Sequence, residues 1–243
     1  MTKVPARVAI LGLGPSLEAF VDVCKRLGGV RELVDEVWGI NAVGDVIRCD
    51  RIFHMDDVRI QEIRAAAAPD SNIAAMLRWL RRHPGPVYTS RPHARYPGTV
   101  AYPLQDVMRS CGGKAYFNST AAYAVAYAVH LGVGELYLFG CDFTYPNAHQ
   151  AEKGRACVEF YLGLGVARGM KIGLPATTTL MDGAEAACDR VYGYDTLDLA
   201  YGRDHSGAVT VTMKPHRRRP TAAQVEARYD HSKHPNALVA KGA

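Results

Sequence analysis

The chain reads as an α/β protein: a Rossmann-like, doubly wound, mostly parallel sheet in a single domain with a C-terminal extension. Three observations predict this. Short β-rich runs alternate with longer helical patterns from residue 8 to about residue 176. The run ELYLFGCDF (135–143) is apolar on both faces, as the centre of a parallel sheet requires. The first run, VAILGL, stops at a Gly-x-Gly and turns directly into a helix start, a join typical of nucleotide-binding sheets.

VAILGL (8–13) is the first strand. Residues 16–27 form a helix, with Leu17, Phe20, Val21, Cys24 and Leu27 at helical spacing. EVWGIN (36–41) and RIFHMD (51–56) are strands that each end in a polar residue. SNIAAMLRWLRR (71–82) is an amphipathic helix capped by Asp70 or Ser71. PVYTS (86–90) is a strand, and TAAYAVAYAVHLG (120–132) is a nearly all-apolar helix that has to be buried. After the strand at 135–143 come a helix over 152–169 and a last strand, MKIGLPA (170–176). The alternation then fades, which sets a nucleotide-binding domain at 1–182 and an extension at 183–243. Within the extension, DRVYGYDTLDLAYG and GAVTVTMK suggest a hairpin, and residues 214–243 read as a polar tail.

The 243 residues are 48% hydrophobic and 22% charged, which is enough apolar material for one large core and argues against disorder of the whole chain. A net charge of +5 and a pI near 8.9 point to anionic ligands, with His216, Arg217, Arg218 and Arg219 concentrating charge in the tail. The six cysteines (24, 49, 111, 141, 157 and 188) form no C-x-x-C pair and no zinc-ligand spacing. Several lie inside apolar runs, so reduced, buried thiols and a cytoplasmic location are expected. The first apolar run is short, broken by glycines and leads straight into Pro15 and Glu18, unlike a signal peptide. No stretch is long enough to span a bilayer.

In such sheets ligands sit at the carboxyl ends of the strands, near a switch in strand order. The residues that end the strands are therefore the candidates. Gly12 and Gly14 allow a tight turn and close approach of a phosphate. Pro15 suits the first helical turn, and the exposed amides there, with the Ser16 hydroxyl, form an anion site. The alternative is a glycine-rich turn that binds nothing. Asn41 ends the second strand, where its amide can read a base or a ribose, or can simply make a turn. Asp56 and Asp57 follow the third strand and can hold a divalent ion such as Mg2+ or a sugar hydroxyl; a surface acidic turn is the alternative. His54, inside that strand, reads as a packed histidine. Asn118, Ser119 and Thr120 stand at the mouth of the apolar helix, a second helix N-terminus able to meet an anion, although a plain N-cap accounts for one of them. Asp142, Tyr145 and His149 place a carboxylate, a phenol and an imidazole in the loop after the 135–143 strand, a set suited to acid–base work.

Together these segments resemble the bacterial CMP-sialic-acid-dependent sialyltransferases and their wider superfamily, which includes flagellin-glycosylation factors and 6-hydroxymethylpterin pyrophosphokinases. The family opens on a G-x-GPSL turn, here Gly12-Leu13-Gly14-Pro15-Ser16-Leu17, with Leu13 where the family usually carries Asn. It continues with an Asn ending the second strand (Asn41) and a Ser/Thr pair before an apolar helix (Ser119, Thr120). It then runs helix–LG–strand–G-x-DF, matched by HLGVGELYLFGCDF. The resemblance covers roughly residues 8–180 and is most specific over 119–143. It implies that the turn and the hydroxyl pair hold a nucleotide and its phosphate. It also implies a general-base histidine after the G-x-D loop, His149 with His205 as second choice, and a tyrosine that polarises the departing phosphate, Tyr145 ahead of Tyr161.

Three functions follow as expectations. The first is a glycosyltransferase using a nucleotide-sugar donor, CMP- or another NDP-sugar, with a glycan, a protein or a modified nucleic acid as acceptor. The second is Mg2+-requiring diphosphate or phosphoryl transfer from ATP through Asp56, Asp57 or Asp142. The third is a non-catalytic nucleotide- or nucleic-acid-binding protein that uses the basic tail as an arm. A homo-oligomer is compatible with each. An NAD-dependent dehydrogenase is disfavoured, because Leu17 stands at the third glycine position and Asn41 replaces the acidic residue expected at the second strand end.

Overall fold

A computed structural model describes residues 4–144, 146–181, 197–215 and 221–227. The chain divides into two compact units, 1–186 and 187–243.

The first unit carries β1 (Arg7–Leu11), α1 (Leu17–Leu27), α2 (Val30–Leu33), β2 (Glu36–Ile40), α3 (Val43–Val46), β3 (Arg51–Phe53), α4 (Val58–Ala67) and α5 (Asn72–Arg82). It continues with β4 (Val87–Thr89), β5 (Thr99–Ala101), α6 (Leu104–Ser110), α7 (Thr120–Leu131), β6 (Glu135–Phe139), α8 (Ala148–Ala167) and β7 (Lys171–Gly173). The seven strands form one sheet in the order β5-β4-β3-β2-β1-β6-β7, and every pair is parallel. The sheet is thus the Rossmann-like α/β architecture that the alternation predicts.

Alternation along β1 shows how the layers assemble. Val8 and Ile10 face the cluster under α7 and α8, whereas Ala9 and Leu11 face Phe20 and Cys24 of α1. The same rule on β3 sends Phe53 to the α7 side and Ile52 to Leu77 and Leu80 of α5. Helix α7 buries eight of its twelve residues, mostly alanine and valine, so its backbone lies close over β1, β2 and β3. Ser119 caps it by accepting from the Ala122 amide, and Gly132 ends it in the left-handed conformation.

From β1 the chain winds outward through β2 to β5, then returns over α7 to place β6 on the other side of β1. The switch in strand order therefore falls between β1 and β6, and a crevice opens at their carboxyl ends.

The boundaries differ in physical detail from the sequence reading. Strand β6 stops at Phe139 and lies one strand from the edge rather than at the centre. Helix α8 starts at Ala148, four residues early, because the Asn147 side chain accepts from the Gln150 amide and caps it; His149 is consequently on a helix and not in a loop. Helices α4 and α6 and strand β5 add to the expected elements. Ser71 is the cap of α5.

The described part of the second unit holds an antiparallel hairpin, β8 (Leu197–Arg203) with β9 (Val209–Pro215), and a short helix α9 (Ala222–Glu226). Tyr145, Cys188 and the basic run 216–219 lie outside the described residues. No described helix is long and apolar enough to cross a membrane.

Candidate functional site

The loops that leave β1 and β6 meet backbone to backbone. Gly12 donates to the Phe139 carbonyl and Gly14 to the Gly140 carbonyl, both at 2.8 Å. A Cβ on Gly12 would lie 2.3 Å from the Gly140 oxygen, and one on Gly14 would lie 2.6 Å from Asp142 Oδ2. The glycines are therefore required by the neighbouring loop. Gly140 itself takes φ +68° to make the contact.

Asp142 fastens this junction. It is 3% exposed, and its two oxygens accept from the Ser16 amide at 2.8 Å and from the Ser16 hydroxyl at 2.5 Å. Ser16 Oγ in turn accepts from the Gly140 amide at 2.7 Å. The anion expected at the start of α1 is thus already supplied by the protein. The Leu17 amide is also taken, by the Gly14 carbonyl. Ser16 is buried and outside the cleft lining, so its hydroxyl and amide are turned to Asp142 and not to the cleft.

A cleft of about 580 Å³ opens beside this junction. It brings together Gly12, Gly14, Pro15, Asn41, Asp56, Asn118, Ser119, Thr120 and Asp142, residues drawn from four strand ends and the start of α7. One wall is the N-terminus of α7. Its first amides, of Thr120 and Ala121, and the side chains of Asn118 and Thr120 make no hydrogen bond among the described residues, whereas the Ser119 hydroxyl is used by the Ala122 amide. The other wall carries acceptors. Asn41, at φ +52°, holds a buried Oδ1 without a partner, and the Asp56 carboxylate has none either among the described residues. One end of the cleft offers donors and the dipole of a twelve-residue helix; the other offers oxygens.

Several candidates do other work. Asp57 caps α4 through the Arg59 amide at 2.9 Å and pairs with the Arg59 guanidinium, which holds its carboxyl down at about 2. Asp56 and Asp57 therefore do not act as a pair. No group of three or more His, Cys, Asp or Glu suited to a metal ion occurs among the described residues. Of the two carboxylates that line the cleft, Asp142 is spent on Ser16, and Asp56 has no hydrogen-bond partner among the described residues. His54 is the packed histidine expected, fully buried, with Nε2 bonded to Gln61 Oε1 at 2.7 Å and its pKa lowered by burial. Cys141 lines the cleft, and burial, with Asp142 beside it, pushes its thiol up to about 12, which disfavours the thiolate.

His149 is exposed on the first turn of α8 and outside the cleft lining, one residue from Gln150, which does line it. His205 sits exposed in the turn of the β8–β9 hairpin, where Asp204 binds the Ser206 and Ala208 amides. The Tyr161 hydroxyl donates to the Lys114 carbonyl.

Sequence reasoning missed Phe143, Gln150 and Gly154 as lining residues. Phe143, at φ +51°, packs on Gly154, where a Cβ would lie 2.6 Å from its ring. A glycine in the middle of a twenty-residue helix was the signal for that contact. No protein-family model, curated protein or solved structure matches the chain.

Proposed function

We propose that this cleft binds a nucleotide, with its phosphate at the N-terminus of α7 and its ribose or base at Asn41 and Asp56, and that the protein transfers a sugar from a nucleotide-sugar donor to an acceptor hydroxyl. The observation that carries the reading is the opposed polarity of the walls. Unpartnered amides and hydroxyls suit an anion, and unpartnered oxygens suit the hydroxyls or amino groups of a nucleoside.

The resemblance to the sialyltransferase-like superfamily supports the choice of reaction. In the transfer, the acceptor oxygen bonds to the sugar carbon as the bond from that carbon to the phosphate oxygen breaks. The acceptor proton passes to a base, for which His149 on the first turn of α8 is the candidate. The charge left on the phosphate is met by the Thr120 and Ala121 amides and the Thr120 hydroxyl.

The experiment is a thermal-shift panel of CMP, UDP, GDP and ADP derivatives, with and without magnesium. A shift for one nucleotide series is expected, and no shift for any of them contradicts the reading. His149→Ala is expected to keep nucleotide binding and lose transfer; unchanged turnover removes His149 as the base. The free Asp56 carboxylate favours a second reading, magnesium-dependent phosphoryl transfer from ATP. ATP binding that persists in excess chelator removes it.

A further inference from the structure

The tail, at +5 over residues 214–243, is joined by a second concentration of positive charge within the first unit. Residues 56–98 carry seven arginines and no lysine against Asp56, Asp57, Glu62 and Asp70, a net of +3, and Arg59 is paired with Asp57. No lysine occurs anywhere between Arg26 and Lys114. These residues span α4, α5 and the loop after β4.

Part of this stretch lines a second, open pocket of about 300 Å³ between α4, α5 and the segment around Tyr96. Arg78, Arg81 and Arg95 line it. Glu62 neutralises only one of them, Arg95, while also accepting from the Tyr96 hydroxyl at 2.9 Å. Arg81 lies over the Tyr96 ring, 5.4 Å from its centroid, and Arg78 donates to the Pro69 carbonyl at 3.2 Å. Neither has a carboxylate partner among the described residues. Ring and carbonyl hold the two guanidiniums in place without cancelling their charge. Arg82, one residue further on α5, and Arg91, on the loop after β4, are exposed and continue the charge beyond the cavity.

We propose that this α4–α5 face docks the phosphodiester backbone of a nucleic acid. An all-arginine set presents planar forks that match phosphate oxygens in two-point contacts, where lysine offers a point charge. A field extending past one cavity suits a repeating polyanion better than a single small anion. The site is separate from the nucleotide cleft, and its occupation does not depend on the reading given for that cleft.

The test is fluorescence anisotropy of the full chain with a labelled mixed-sequence oligonucleotide, single-stranded and duplex, at about 50 to 200 mM salt, the range over which phosphate contacts are lost most visibly. Binding is expected to weaken steeply with salt. The double variant Arg78→Glu, Arg81→Glu is expected to lose affinity about tenfold or more at low salt and to flatten the log–log salt slope by about two. Arg82→Glu with Arg91→Glu provides a second pair should the first not fold. Reversal of Arg217, Arg218 and Arg219 is expected to cost less. Equal loss from the tail variant overturns the proposal. So does competition by polyglutamate or phosphatidylserine vesicles as effective as that by unlabelled oligonucleotide.

Discussion

Asp142 looked like a catalytic acid because it ends an apolar strand beside a tyrosine and a histidine. Its surroundings give it a different role, since both oxygens are spent on Ser16 and it sits where α1 would otherwise draw an anion. Asp142→Asn keeps the shape but loses the charge and one acceptor, and is expected to destabilise the fold by about 1–3 kcal/mol, read by chemical denaturation. A neutral effect would show that the bracket does not hold the loops. His54 gives a pH signature. Its folded pKa lies below the ordinary 6.5 because burial disfavours the imidazolium. The unfolded chain therefore binds the extra proton, and the stability contributed is complete above about pH 6.5 and falls as pH drops toward the folded value. The slope is at most about 1.4 kcal/mol per pH unit for one proton. His54→Gln is expected to flatten the decline in melting temperature as pH falls from about 6.5 to about 5, the range in which an ordinary histidine takes up its proton; an unchanged decline assigns it elsewhere.

At the scale of elements, the two helix N-termini at the switch point have divided their roles. Helix α1 is closed by the protein's own carboxylate, and α7 is left open to the cleft. The sequence made both available, since Gly-x-Gly-Pro-Ser and Asn-Ser-Thr each announce a helix start, and both segments do lie at the site. What it did not reveal was that Gly12 and Gly14 are committed to Gly140, far along the chain, because a residue pattern carries no record of which loop it will touch. Gly12→Ala is expected to cost about 1–3 kcal/mol, since its Cβ would meet backbone that has no room to yield. Stability equal to the parent would show that the loops can separate. Helix α4 escaped the sequence reading for a local reason: Ile60 and Ile63 are exposed, so its apolar residues do not trace the buried stripe. Strand β5, at three residues, was too short to show alternation.

For the whole molecule, the parallel sheet was legible because buried strands are near-continuous apolar runs and the helices between them keep a period of about 3.6 residues. The second set of positive charge was not, since seven scattered arginines make no run as conspicuous as the three adjacent ones at 217–219. Every residue lining the cleft belongs to the first unit. A protein ending at residue 186 is accordingly expected to melt cooperatively and to bind the same nucleotide as the full chain within about twofold, a gap of about 0.4 kcal/mol. Loss of binding would assign part of the site to residues 187–243. The central proposal is that the N-terminus of α7 receives a nucleotide phosphate. Thr120→Pro removes one of the two open amides and the hydroxyl at a position where proline is compatible with a helix, and Ser119 is already extended as a residue before proline should be. The deciding measurement is calorimetric titration of this variant and the parent with the nucleotide that shifts the melt and with its nucleoside. If α7 holds the phosphate, nucleotide binding weakens at least about tenfold, equivalent to about 1.4 kcal/mol, and nucleoside binding is unchanged. Equal nucleotide affinity in the two proteins would contradict that assignment.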